Sequence, residues 1–124
     1  MNDIQTREDI EQLVNTFYDK IRTNATIGFI FNDVVNVDWD KHLPVMYSFW
    51  ASLLLGAHSY SGNPMVKHIG LSKLTQMTDT EFSEWLRLFH QTVDELFCGE
   101  KADEAKLRAV NIARLMLHKI HPQP

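Results

Sequence analysis

The chain has 124 residues, 44% of them hydrophobic, which suits a single domain over residues 1–124 with a core of ordinary size. Its 12 Lys and Arg against 16 Asp and Glu leave a formal charge of -4 and no basic stripe to neutralise a phosphate backbone, so nucleic acid is a poor candidate partner. Cys98 is the single cysteine, which excludes an internal disulfide and a four-cysteine metal site. No apolar run reaches the ~20 residues of a membrane span, and "MNDIQTREDI" lacks the basic-then-apolar order of a signal peptide, so a soluble cytoplasmic protein is expected.

In chain order, Ile10, Leu13, Val14, Phe17 and Ile21 recur at spacings of three and four, which predicts a helix from Thr6 to about Asn24. Thr6 and Asp9 form an acid-substituted capping box at its start. After "RTNATIG", the stretch "FIFNDVV" reads as a helical turn or irregular corner in which both Phe29 and Phe31 are expected to bury. Leu43, Met46, Phe49, Trp50, Leu53 and Leu54 predict a second helix ending at Gly56. Pro44 fits only a first turn, which sets the expected start near His42.

"AHSYSGNP" reads as a loop, and Asn63-Pro64 opens a short helix that carries His68 and ends before Gly70. Thr78 and Glu81 make a capping box for an amphipathic helix with Phe82, Trp85, Leu86, Phe89, Val93 and Leu96 inward and Gly99 as its stop. A last helix, from about Ala102 to Ile120, uses Ala105, Ala109, Ile112, Ala113, Met116 and Ile120. Strand-type alternation is absent. The expected fold is all-α, four substantial helices and one or two short ones in two layers.

The G-x-S-x-G elbow, the H-E-x-x-H zinc pair, the phosphate loop and the EF-hand loop are all missing, which disfavours enzymes of those kinds. What remains is six histidines, at 42, 58, 68, 90, 118 and 121, with three tryptophans and a helix-borne tyrosine. His118 and His121 could clip a metal by spacing, but read better as solvated residues at a helix C-terminus. His58 and His90 read as surface. His42, one turn before Met46, taken alone reads as a capping or surface residue.

His68 is the best ligand candidate, set among Met65, Val66, Ile69 and Leu71, although taken alone that setting still favours a satisfied structural histidine. Tyr18 neighbours the first apolar stripe and Trp85 lies at the centre of another. Core filling is the ordinary role of both, yet a buried phenol and a buried indole each still want an acceptor. Two such donors converging on one apolar space suit a small polar ligand.

These residues resemble one family over nearly the whole chain: the truncated haemoglobins, specifically their third group, bacterial two-on-two globins. "VNTFYDKIR" is similar to the family's second helix with its Phe-Tyr pair, and "GFIFND" resembles the corner that carries a haem-packing phenylalanine, here Phe31. "WDKHLPVMYSFWASLLLG" resembles the distal helix, with His42 at the distal histidine position and Met46 one turn on. "YSGNPMVKHIGL" resembles the proximal segment, placing the proximal histidine at His68, and "FSEWLRLF" carries the characteristic tryptophan, Trp85. Pro44 is a departure, close to His42. The glycine-glycine motifs of the other truncated groups are not seen, as the third group leads one to expect.

The resemblance implies a two-on-two helical sandwich around haem b, iron protoporphyrin IX. With Cys98 alone there is no C-x-x-C-H motif, so the haem would be non-covalent. It implies His68 as the iron's ligand, its second ring nitrogen donating to a carbonyl or carboxylate. Phe31 and Met46 would pack on the haem, and Lys67 and Tyr60 stand near enough to His68 in sequence to meet its propionates. Tyr18 and Trp85 would donate to O2, NO, CO or cyanide on the far side, with His42 as a gate or weak third contributor. The implied role is O2 and NO handling, as NO dioxygenation or peroxidase-like chemistry fed by an external reductase, with the chain as a monomer. The rival from a different class is a haem-free helical interaction module.

Overall fold

Thr6 starts the first helix by the reciprocal bonding its sequence calls for. The Asp9 N–H donates to the Thr6 hydroxyl (3.2 Å), and the Asp9 carboxylate accepts from the Thr6 and Gln5 N–H groups. Helix α1 then runs Arg7–Thr23 and buries Ile10, Leu13, Val14, Phe17, Tyr18 and Ile21 on one face. A computed structural model describes residues 1–34, 38–57 and 77–122 of the chain. The expected short helix with His68, and with it His58, Tyr60 and Lys67, lies outside the described residues.

Asn24 ends α1 and turns the chain. Its side-chain oxygen accepts from the Thr26 and Ile27 N–H groups (2.8 and 3.0 Å), while its amide nitrogen donates to Glu84 (2.7 Å). Bonds from Arg87, and then from Asn24, hold the Glu84 carboxyl down at about 2. At Gly28 a Cβ would stand 3.0 Å from the carbonyl oxygens of Ile21 and Arg22, so a side chain there would push the corner off α1.

A π-helical turn, Ile30–Val34, follows and buries Ile30 and Phe31. Phe29 does not bury: it is 46% exposed. Along a helical turn residues two apart point to roughly opposite sides, so Phe29 faces outward where Phe31 faces inward.

Helix α2 spans Trp39–Leu54, starting three residues before the expected point near His42. Pro44 therefore lies in the second turn, where it has no N–H to give the Asp40 carbonyl. His42, Met46, Phe49, Trp50, Ala51 and Leu54 are buried, while Leu43 and Leu53 are only partly covered. Gly56 follows with φ 71°, in the left-handed region where glycine ends a helix at least cost.

Helix α3, Asp79–Leu96, opens on the Thr78–Glu81 capping box. It buries Phe82, Trp85, Leu88, Phe89, Thr92 and Val93, whereas Leu86 and Leu96, expected inward, are half-covered flanks. Thr92 satisfies its hydroxyl on the Leu88 carbonyl one turn back (2.7 Å). Helix α4, Glu100–Ile120, packs an alanine stripe of Ala102, Ala105, Ala109 and Ala113 with Met116.

Among the described residues every element is helical. α1 packs on both α2 and α3, α3 on α4, and α2 also meets α4.

Gly99 differs from expectation, because α3 ends at Phe97 and Gly99, at φ 135°, instead caps the start of α4. A Cβ on it would fall 2.6 Å from the Asp3 side chain. That carboxylate accepts from the Lys101 and Ala102 N–H groups (2.9 Å each), so a residue before α1 caps the last helix. Burial pulls the Asp3 carboxyl up, but the N–H bonds from Lys101, Ala102 and Ile4 outweigh it and leave its pKa below the ordinary value.

A carboxyl lowered on folding stabilises above its unfolded pKa, about 3.9, and its contribution fades as pH falls through the lowered value. Asp3→Ala is expected to lose about 1 kcal/mol at pH 7. The gap from wild type should close below about pH 4 in urea unfolding curves, and an equal gap at pH 3 would refute the carboxylate's role.

Candidate functional site

The ends of α1 and α2 and the middle of α3 bring a set of aromatic rings together. Phe17 and Tyr18 lie on the buried face of α1, with ring centroids 5.0 Å apart. Phe17 reaches α3, edge-on to Trp85 at 5.5 Å and to Phe89 at 5.2 Å. Phe89 is stacked between Trp50 of α2 (4.9 Å) and Trp85 (5.9 Å). Phe17 is thus the ring that joins the Tyr18 and Trp85 neighbourhoods.

Tyr18 itself is 2% exposed. Phe31 of the corner meets its ring at 6.4 Å, and Trp39 and His42 of α2 at 5.1 and 5.6 Å. His42 is 5% exposed, so the capping or surface role does not hold: an α2 that begins at Trp39 turns residue 42 inward. Met46, one turn on, is buried on the same helix.

The polar atoms of this cluster are what set it apart from an ordinary core. The Tyr18 hydroxyl and the Trp85 indole N–H are both buried without a hydrogen-bond partner among the described residues. Leaving one such donor unsatisfied costs about 1–3 kcal/mol, and most native folds avoid it. Burial also pushes the Tyr18 phenol well above its usual pKa, so it stays protonated and remains a donor through neutral and mildly alkaline pH. Chemically, the arrangement offers two fixed donors in a dry aromatic surround.

Of the residues singled out from sequence, the fold brings Tyr18, Phe31 and His42 into one ring cluster, and Phe17 links Trp85 to it. His68, Lys67 and Tyr60 lie outside the described residues. Two other histidines of the described residues bond backbone carbonyls. His90 bonds the Lys106 carbonyl (3.2 Å), and His121 bonds the Met77 carbonyl (3.1 Å), so His121 is tied down where a solvated residue was expected. Among the described residues no three His, Cys, Asp or Glu gather to hold a metal ion.

Sequence reading missed Trp39 and Arg22. The Arg22 guanidinium carbon stands 4.1 Å from the centre of the Trp39 ring. The available signal was spacing: Arg22 is one turn beyond Tyr18, and Trp39 one turn before His42.

Known proteins agree with this architecture. The family model of bacterial-like globins matches residues 2–119. The chain is 34% identical over 111 residues to the group 3 truncated haemoglobin ctb of Campylobacter jejuni, covering 86% of this chain and 84% of that one. The crystal structure of the group III truncated haemoglobin from Campylobacter jejuni superposes with a TM-score of 0.78 at 28% identity, covering 98% of this chain and 97% of that one. No helix among the described residues is long and apolar enough to cross a membrane. The helical sandwich expected from the sequence is therefore the globin one, and the chain belongs to the bacterial-like globin family, as a group 3 truncated haemoglobin.

Proposed function

We propose that this globin, one unit over residues 1–124, holds haem b non-covalently through His68 and binds O2, NO, CO or cyanide under hydrogen bonds from Tyr18 and Trp85. The observation that carries the reading is the pair of buried donors with no acceptor among the described residues, which fits a ligand that accepts. Bound haem supplies an iron atom at which a diatomic gas can be held.

The chain's own residues do the rest. His68 would hold the haem iron through one ring nitrogen, while the other would donate to a carbonyl or carboxylate that fixes the tautomer. Phe31 and Met46, both buried, keep water from the pocket. Lys67 and Tyr60 meet the propionates, and His42 gates the ligand side or adds a weak third donor. Donors that hold a gas tightly slow its release, which suits capture or redox handling of O2 and NO better than bulk transport. NO dioxygenation or a peroxidase-like reaction would draw electrons from an external reductase, with the globin acting as a monomer.

Ferrous spectra of the purified protein with and without CO, for wild type and His68→Ala, test the assignment. Wild type should show a Soret band that shifts with CO, and the variant should lose haem or its imidazole-ligated spectrum. An unchanged five-coordinate, imidazole-bound spectrum in the variant removes His68 from its role. A folded, colourless wild type that ignores added hemin would restore the interaction-module alternative.

A further inference from the structure

The first turn of α2 is weakly held by its own backbone. Asp38 caps it without a side-chain bond, and a single carbonyl, that of Asp38, accepts from both Lys41 (3.2 Å) and His42 (2.9 Å). Two residues on, Pro44 leaves the Asp40 carbonyl without the helical donor it would normally receive. A helix start of this kind depends on its side chains to stay in place.

Those side chains interleave with α1. Tyr18 and Arg22 share one face of α1, Trp39 and His42 one face of α2, and the Trp39 ring lies against Tyr18 (5.1 Å) and His42 (5.9 Å) with the Arg22 guanidinium over it. Arg22 has no ion pair among the described residues, and its Nε is buried without a hydrogen-bond partner. The face of Trp39 is the contact the fold gives this cation, and a partly desolvated guanidinium on an indole is the favourable case of a cation–π pair.

We propose that Arg22 is a positioning residue: stacked on Trp39, it latches residues 39–43 against α1, and release of the latch lets that turn swing about Pro44 and open the space beside Tyr18 to an incoming ligand. The moving part is backbone, so the gate is the turn that carries His42 and not the rotation of one side chain. The inference rests on the reading of Tyr18 as a ligand donor.

Hydrogen exchange and ligand kinetics on the haem-loaded protein test it together. Arg22→Gln should speed exchange of the Lys41 and His42 amides on the order of tenfold, leave the Ala113 amide of α4 unchanged, and raise the CO association rate severalfold. Arg22→Lys, which keeps the charge but not the planar stack, should fall between. Trp39→Leu should reproduce the effect, and the double variant should do no more than the larger single one.

Exchange at Lys41 and His42 that matches wild type overturns the latch. Faster exchange with an unchanged CO association rate overturns the gate. Failure of the underlying reading looks different: Tyr18→Phe would then release O2 at the wild-type rate whatever Arg22 does to exchange.

Discussion

Tyr18→Phe and Trp85→Phe are each expected to speed O2 release by roughly ten- to a hundredfold, and the double variant by about a few hundredfold, short of the product of the two. A hydrogen bond to a charge-bearing acceptor is worth about 1.5–3 kcal/mol, and each 1.4 kcal/mol is about a factor of ten. If both donors reach one small ligand, as proposed, their contributions should not add in full.

Stopped-flow release rates decide the matter, and wild-type rates in both single variants would sink the distal assignment. The Tyr18 phenol is held protonated by burial, so no step from phenol ionisation should appear in the wild-type rate up to about pH 9. A second readout separates function from folding. Tyr18→Phe removes a buried hydroxyl with no partner among the described residues, so haem-free protein should be no less stable, and up to about 1 kcal/mol more so.

The largest effect on stability is expected at Phe89. It is 1% exposed, stacked between Trp50 and Trp85, and edge-on to Phe17, so one ring ties α1, α2 and α3 together. Phe89→Ala removes those contacts and opens a cavity that three large rings cannot readily collapse into, at a cost of about 3–5 kcal/mol. Against a total near 5–15 kcal/mol, the variant should be close to unfolding at 37 °C. Urea unfolding followed by far-UV circular dichroism measures the loss. Leu115→Ala, at a side chain 59% exposed on α4, is the control and should stay within about 0.5 kcal/mol of wild type. Equal losses at the two positions would contradict the packing argument.

The two capping boxes and the spacing of three and four placed α1, α3 and α4 almost to the residue, because a helix start and an apolar face are properties of neighbours along the chain. Tyr18, Trp85 and His42 were legible as candidates for the same reason, each having a definite place on a helix. Where signals conflicted, distant contacts prevailed. Pro44 argued for a start near His42, yet Trp39 gains a place against Tyr18 and under Arg22 that can offset one lost backbone bond.

Gly99 read as the end of one helix and caps the next, because Asp3, nearly a hundred residues away, occupies the space a Cβ would fill. Phe29 and Phe31 are equivalent as letters and opposite in fate, since only a docked corner has an inside. Residue order thus settled which segments coil and which faces are oily. Which donors end up shut away in one aromatic cluster, and which cation lies on which ring, depends on how helices far apart in the chain come to pack, and no local pattern encodes that.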